Sequence, residues 1–162
     1  MSQSSLTNLT LPAGMTSLEE LDLAFNQLTN VVLPADMRNL SDLDLSFNQL
    51  ARLNLPAGLS QLSALHLRSN QFTNFALPAG FGSLANLDVS LNPLTNVVLS
   101  RDLGRLAALR LSENRLSNLT LPVGMTNLVA LNLTLNQLTN LVLPPDLFAL
   151  QTLNVSAKLP NV

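Results

Sequence analysis

The chain has 162 residues, enough for one domain with a sizeable core, and at 47% hydrophobic and 11% charged it is not a disordered tail. Its net charge of −2, its single lysine (Lys158) and its lack of Trp and Tyr argue against nucleic-acid binding, which needs many basic contacts to phosphate and aromatic rings for stacking. The absence of cysteine excludes a disulfide-stapled cap, a thiol nucleophile and a thiolate zinc site, and no apolar run approaches the ~20 residues that span a bilayer.

Taken in chain order, residues 1–17 read as a partial coil, and the first six residues lack the basic-then-apolar pattern of a signal peptide. Six full repeats follow over 18–149. Each contains the frame of Leu18, Leu21, Leu23, Asn26 and Leu28, which recurs from Leu40, Leu62, Leu84, Leu106 and Leu128, with Val89 once in place of leucine. Asn26, Asn48, Asn70, Asn92, Asn114 and Asn136 are each separated by 22 residues. The Leu-x-Leu segment has the period of a strand, and one coil alone cannot hide its apolar side. Stacking coils at ~4.8 Å puts leucine on leucine in a parallel sheet with one inward face. The asparagine column is expected inside, where its amides satisfy backbone groups of adjacent turns.

Later in each repeat the alternation Val31/Leu33 recurs as Leu53/Leu55, Phe75/Leu77, Val97/Leu99, Leu119/Leu121 and Leu141/Leu143. It predicts a short extended run on the far side, stopped by Pro34, Pro56, Pro78, Pro122 and Pro144. Gly14, Gly58, Gly80 and Gly124 then each predict a turn. The few residues left allow one turn of 3₁₀ or α geometry and no stable helix. A partial coil, 150–162, ends the chain.

The frame L-x-x-L-x-L-x-x-N-x-L resembles the leucine-rich-repeat family over nearly the whole chain, and the 22-residue period with its N-Q-L-T segment is similar to bacterial, internalin-like members. The resemblance implies an α/β-class, right-handed solenoid forming one domain over 1–162. The implied parallel sheet lines a concave face that binds a protein partner, with short extended or 3₁₀ segments on the convex face and little helix. It also leaves the compartment open between the cytoplasm and a bacterial surface or secreted setting.

Stacking dictates the core, so information about function sits where the repeats disagree. One outward column runs Asp22, Asp44, His66, Asp88, Arg110, Asn132, Asn154, flanked by Glu20, Asp42, Ala64 on one side and Ala24, Ser46, Arg68, Ser90 on the other. The expected partner contacts are Glu20, Asp22, Asp42, Asp44, Ser46, His66, Arg68, Asp88, Ser90 and Arg110. Glu20, Asp22, Asp42 and Asp44 form an acidic end held against like-charge repulsion, which suggests a basic partner or a cation. Aspartates that merely keep the sheet solvated are the competing reading.

His66 has Asp44 and Asp88 as its expected strand neighbours, with Ser46 and Ser90 nearby, which superficially resembles a hydrolytic triad. An open sheet offers no pocket and no free amides for an oxyanion, because its strand amides are used in the ladder. No catalytic residue, metal site or cofactor is expected. A further column, Phe25, Phe47, Ser69, Leu91, Glu113, Leu135, reads either as a half-exposed interaction strip or as a covered edge. The recurring Thr-Asn pairs (Thr29-Asn30, Thr73-Asn74, Thr95-Asn96, Thr139-Asn140) read as an ice-binding array or as local satisfaction of turn backbone, and Ala51-Arg52 interrupts them.

Solenoid ends need polar caps. Here Ser4 and Lys158 stand where ladder asparagines would be and Pro160 ends the pattern, so copies are expected to form a homo-oligomer through uncapped ends. Two functions follow as expectations. The first is a non-enzymatic scaffold for a protein partner of unknown identity, and the second is a self-assembling spacer of a longer surface protein.

Overall fold

In the computed structural model, which describes residues 5–156, thirteen short strands numbered in chain order lie on two faces of a repeated coil. Seven of them build one parallel sheet: β2 (Glu20–Asp22), β4 (Asp42–Asp44), β5 (Ala64–His66), β7 (Asn86–Asp88), β9 (Ala108–Arg110), β11 (Ala130–Asn132) and β13 (Thr152–Asn154). The register places Leu21, Leu43, Leu65, Leu87, Leu109, Leu131 and Leu153 beside one another. The other six strands make three separate parallel pairs on the opposite face: β1 (Asn8–Thr10) with β3 (Asn30–Val32), β6 (Asn74–Leu77) with β8 (Asn96–Leu99), and β10 (Asn118–Thr120) with β12 (Asn140–Val142). The protein is a parallel-strand β-solenoid of about 7 turns.

Among the described residues there is no helix, so the helical half of the α/β class is empty. The segment between proline and the next strand closes only one turn, as where Leu84 N–H donates to the Phe81 carbonyl (3.0 Å) or Leu40 N–H to that of Met37 (3.3 Å). A single turn fixes several dihedrals for one hydrogen bond and cannot propagate in so short a segment.

The core fills the space between the two faces with stacked side chains from every coil. Leu40, Leu62, Leu84, Leu106 and Leu128 are wholly buried, as are Leu43, Leu65, Leu87, Leu109 and Leu131. The central coil packs Phe72, Phe75 and Phe81, with the rings of Phe72 and Phe75 edge to face at 6.3 Å.

The asparagine column is inside and closes the coils onto one another. Asn48, Asn70, Asn92, Asn114 and Asn136 are buried. In Asn92, Oδ1 accepts the Phe72 N–H (3.1 Å), while Nδ2 lies within hydrogen-bond reach of the carbonyls of Leu67 (3.0 Å), Val89 (3.2 Å) and Ser90 (3.0 Å). Each amide therefore ties its own turn to the turn before it. Asn26 binds Leu6 N–H and the carbonyls of Leu23 and Ala24, and is half-buried. The positions of Ser4, Lys158 and Pro160, on which the expected end-to-end contacts rest, lie outside the described residues.

Immediately before each ladder asparagine the chain turns through the left-handed region. Phe25, Phe47, Ser69, Leu91, Glu113 and Leu135 all have φ between 53° and 58°, a conformation that costs a non-glycine residue about 1–2 kcal/mol. The glycine turns are less uniform than the sequence predicts. Gly14, Gly80 and Gly124 have positive φ (94°, 110° and 100°). In each case an aspartate of the next coil accepts the glycine N–H: Asp36 (2.7 Å), Asp102 (2.7 Å) and Asp146 (2.6 Å). Gly58 has Gly80 in the following coil and no positive φ. It is small because a Cβ there would collide with the Ala35 carbonyl.

Candidate partner-binding face

The two faces are held differently, and this shapes the surface. Strand spacing is kept across all seven strands of the large sheet, but only within pairs on the opposite face. The continuous sheet is the concave face of the leucine-rich-repeat solenoid fold. Grooves of about 260 Å3 and about 360 Å3 open on the outer side where pairing lapses, between Asn30–Leu33 and Arg52–Asn54 and between Asn96–Leu99 and Asn118–Thr120.

On the concave face the acidic end is one contiguous strip. Glu20 lies opposite Asp42 and Asp22 opposite Asp44 on adjacent strands. Next come His66, opposite Asp44 and Asp88, then Arg110, opposite Asp88 and Asn132. His66 nevertheless makes its ion-pair contact with neither register neighbour: its Nε2 is 4.0 Å from Oδ1 of Asp42, diagonally across the strand pair.

Asp44 and Asp88 are committed elsewhere. The N–H two residues on from each of these positions points away from the ladder and needs an acceptor. Asp22 Oδ1 accepts from Ala24 N–H (2.9 Å), Asp44 from Ser46 N–H (2.7 Å), Asp88 from Ser90 N–H (2.9 Å) and Asn132 from Thr134 N–H (3.1 Å). This Asx turn is a structural duty of the outward column. The signal was present in the sequence as Asp or Asn two residues before the strand's exit.

Burial removes two expected contacts. Ser46 and Ser90 are 5% and 0% exposed, so neither offers a side chain to a partner. Ser90 Oγ donates to Asp88 (2.5 Å) and accepts from the Arg68 guanidinium (2.9 Å). Glu20, Asp22 and Arg110 are exposed, and Asp42, Asp44, His66, Arg68 and Asp88 are half-buried. Among the described residues no three His, Asp or Glu side chains are grouped to hold a metal ion. The strand amides are used in the ladder, as where Leu67 N–H donates to the Asp88 carbonyl (2.7 Å).

Two other columns are now placed. Phe25, Phe47 and Leu135 are exposed apolar residues on the left-handed turn, and the rings of Phe25 and Phe47 stack at 4.4 Å, 7° from parallel. On the outer face the threonines satisfy local backbone. Thr29 and Thr95 hydroxyls donate to the carbonyls of Thr7 and Thr73 (3.2 Å each), and Asn74 Nδ2 donates to the Thr73 hydroxyl (3.2 Å).

The stacked coils, their inward leucines and the buried asparagine column define a leucine-rich-repeat solenoid. Comparison with known proteins agrees: the family model described as "Leucine Rich repeats (2 copies)" matches residues 16–57. No curated protein sequence matches the chain. Among solved structures the chain is similar to YopM from Yersinia enterocolitica WA-314, with 28% identity and TM-score 0.71, covering 93% of this chain and 33% of that one. It shares its fold with the functional domain of InlJ from Listeria monocytogenes, which includes a cysteine ladder, at 23% identity and TM-score 0.68, covering 91% of this chain and 37% of that one. The chain thus spans about a third of the length of the structures it matches. The chain has the leucine-rich-repeat fold, and its coils are similar to those of bacterial proteins with that fold.

Proposed function

We propose that the protein is a non-enzymatic scaffold whose concave sheet binds a protein partner through Glu20, Asp22, Asp42, Asp44, His66, Arg68, Asp88 and Arg110. The observation that carries this reading is the contrast between a uniform core and a varied outer column. The five coils from Leu40 onward bury the same apolar frame and amide, while the outward side chains change from acidic on β2 and β4 to mixed on β5, β7 and β9. A scaffold concerned only with length has no physical need for that gradient. Specificity between protein surfaces does require a distinct charge pattern.

The test places photo-crosslinking residues at positions 66 and 110 on the concave face and at 98 on the outer face, in cells of the source organism. Adducts with one protein from positions 66 and 110, absent from 98 and lost in the His66→Ala/Arg68→Ala/Arg110→Ala variant, support the reading. Adducts only with further copies of the chain support the self-assembling spacer instead.

A further inference from the structure

The repeats provide their own control for the position before the ladder asparagine. Phe, Phe, Ser, Leu, Glu and Leu all occupy it with φ within a few degrees of one another, so the fold does not require an aromatic there. Burial does not explain one either, since Phe25 is 66% exposed and Phe47 37%. Yet two phenylalanines fall on consecutive coils and stack face to face. They lie on the same two coils as Glu20, Asp22, Asp42 and Asp44 and on no others.

Those carboxylates have unused capacity. Asp22 and Asp44 each give Oδ1 to a backbone amide, and among the described residues no hydrogen bond occupies either Oδ2. Among the described residues the one ion-pair contact is His66 with Asp42. A flat aromatic face on the same two coils as carboxylates with free oxygens selects a planar cation with an apolar stem. Arginine fits better than lysine, because its guanidinium is weakly hydrated and stacks on rings while pairing with carboxylates.

We propose that the Phe25–Phe47 stack and the carboxylates of the same two coils form a docking point for an arginine-bearing extended segment of the partner protein. The inference rests on the concave face being a partner surface, and it names the chemistry that this end of the face accepts. Guanidinium groups lie on the exposed ring faces and pair with the free oxygens of Asp22 and Asp44. Exposed aromatic and arginine groups meeting in this way typically dominate an interface.

The test measures fluorescence anisotropy of labelled eight-residue peptides alternating Arg-Leu, Lys-Leu or Glu-Leu. The variants are Phe25→Ser/Phe47→Ser, matching Ser69 at the same position, and Asp22→Asn/Asp44→Asn, which retains the acceptor for the backbone amide. The expected result is saturable binding of the Arg-Leu peptide and several-fold weaker binding of Lys-Leu, with Glu-Leu not binding. Each double variant should lose roughly tenfold in affinity for Arg-Leu. Equal affinity of the Phe25→Ser/Phe47→Ser variant, no saturable binding, or equal binding of Glu-Leu would overturn the proposal. A partner crosslinked at positions 66 and 110 whose affinity ignores the phenylalanine variant would overturn it too, while leaving the scaffold reading intact.

Discussion

The two faces of the coil solve one problem with different success. On the sheet side, seven strands pair without interruption and buried amides reinforce the turns at Asn48, Asn70, Asn92, Asn114 and Asn136. On the outer side, pairing reaches only from β1 to β3, β6 to β8 and β10 to β12, and the supporting hydrogen bonds come from exposed threonines. Buried hydrogen bonds whose loss strands a polar group are expensive to break, whereas exposed ones exchange with water. The sheet side therefore sets the architecture, and the outer side follows it.

That contrast can be broken most severely at the amide column. Asn92→Ala leaves the Phe72 N–H without its acceptor and removes donors from three carbonyls, and we expect a loss of about 3 kcal/mol or more. Asn96→Ala, exposed on the outer face, should change stability by under about 0.5 kcal/mol. Urea unfolding of both variants measures the difference.

A smaller effect of opposite sign is expected at Ser69, where φ is 54°. Asn tolerates the left-handed region better than Ser, so Ser69→Asn should gain up to about 1 kcal/mol. The same denaturation curves test this.

The outer face can be improved where Ala51 and Arg52 interrupt the Thr-Asn pairs. Ala51→Thr/Arg52→Asn should restore a hydroxyl donor to the Thr29 carbonyl and gain a few tenths of a kcal/mol. Slower amide exchange at Leu53 would be the local signature.

The smallest expected effect is a pH dependence confined to the turns. The Ser100 hydroxyl, followed by the Gly80 N–H, holds the Asp102 carboxyl below its ordinary value of 3.8. A carboxyl depressed in the fold adds stability above its unfolded value and loses it as pH falls through the folded one. Ser100→Ala should therefore lower stability at neutral pH and flatten the acid limb of the stability curve below about pH 4.

The stacking was legible in the sequence because burial imposes it on every coil: leucines at period 2 and asparagines at period 22 have no other reason to recur together. The strand registers around His66 were legible for the same reason. The left-handed turn was not, since Phe25, Leu91 and Glu113 are not residues whose chemistry signals positive φ; the asparagine and strand on either side impose it. Burial of Ser46 and Ser90 was not legible, because polar residues at this outward position read as solvent-facing. Pairwise lapses on the outer face depend on coil spacing, which a pattern within one repeat does not encode.

The most direct measurement is amide hydrogen exchange resolved by residue. The N–H groups of Leu28, Leu50, Phe72, Leu94 and Leu116 each donate to a buried asparagine Oδ1. They should exchange only through global unfolding, with protection lost together in Asn92→Ala, while Asn54 and Leu55 exchange far faster. Equal exchange at these two sets of amides would contradict the claim that the inward asparagines hold the coils together.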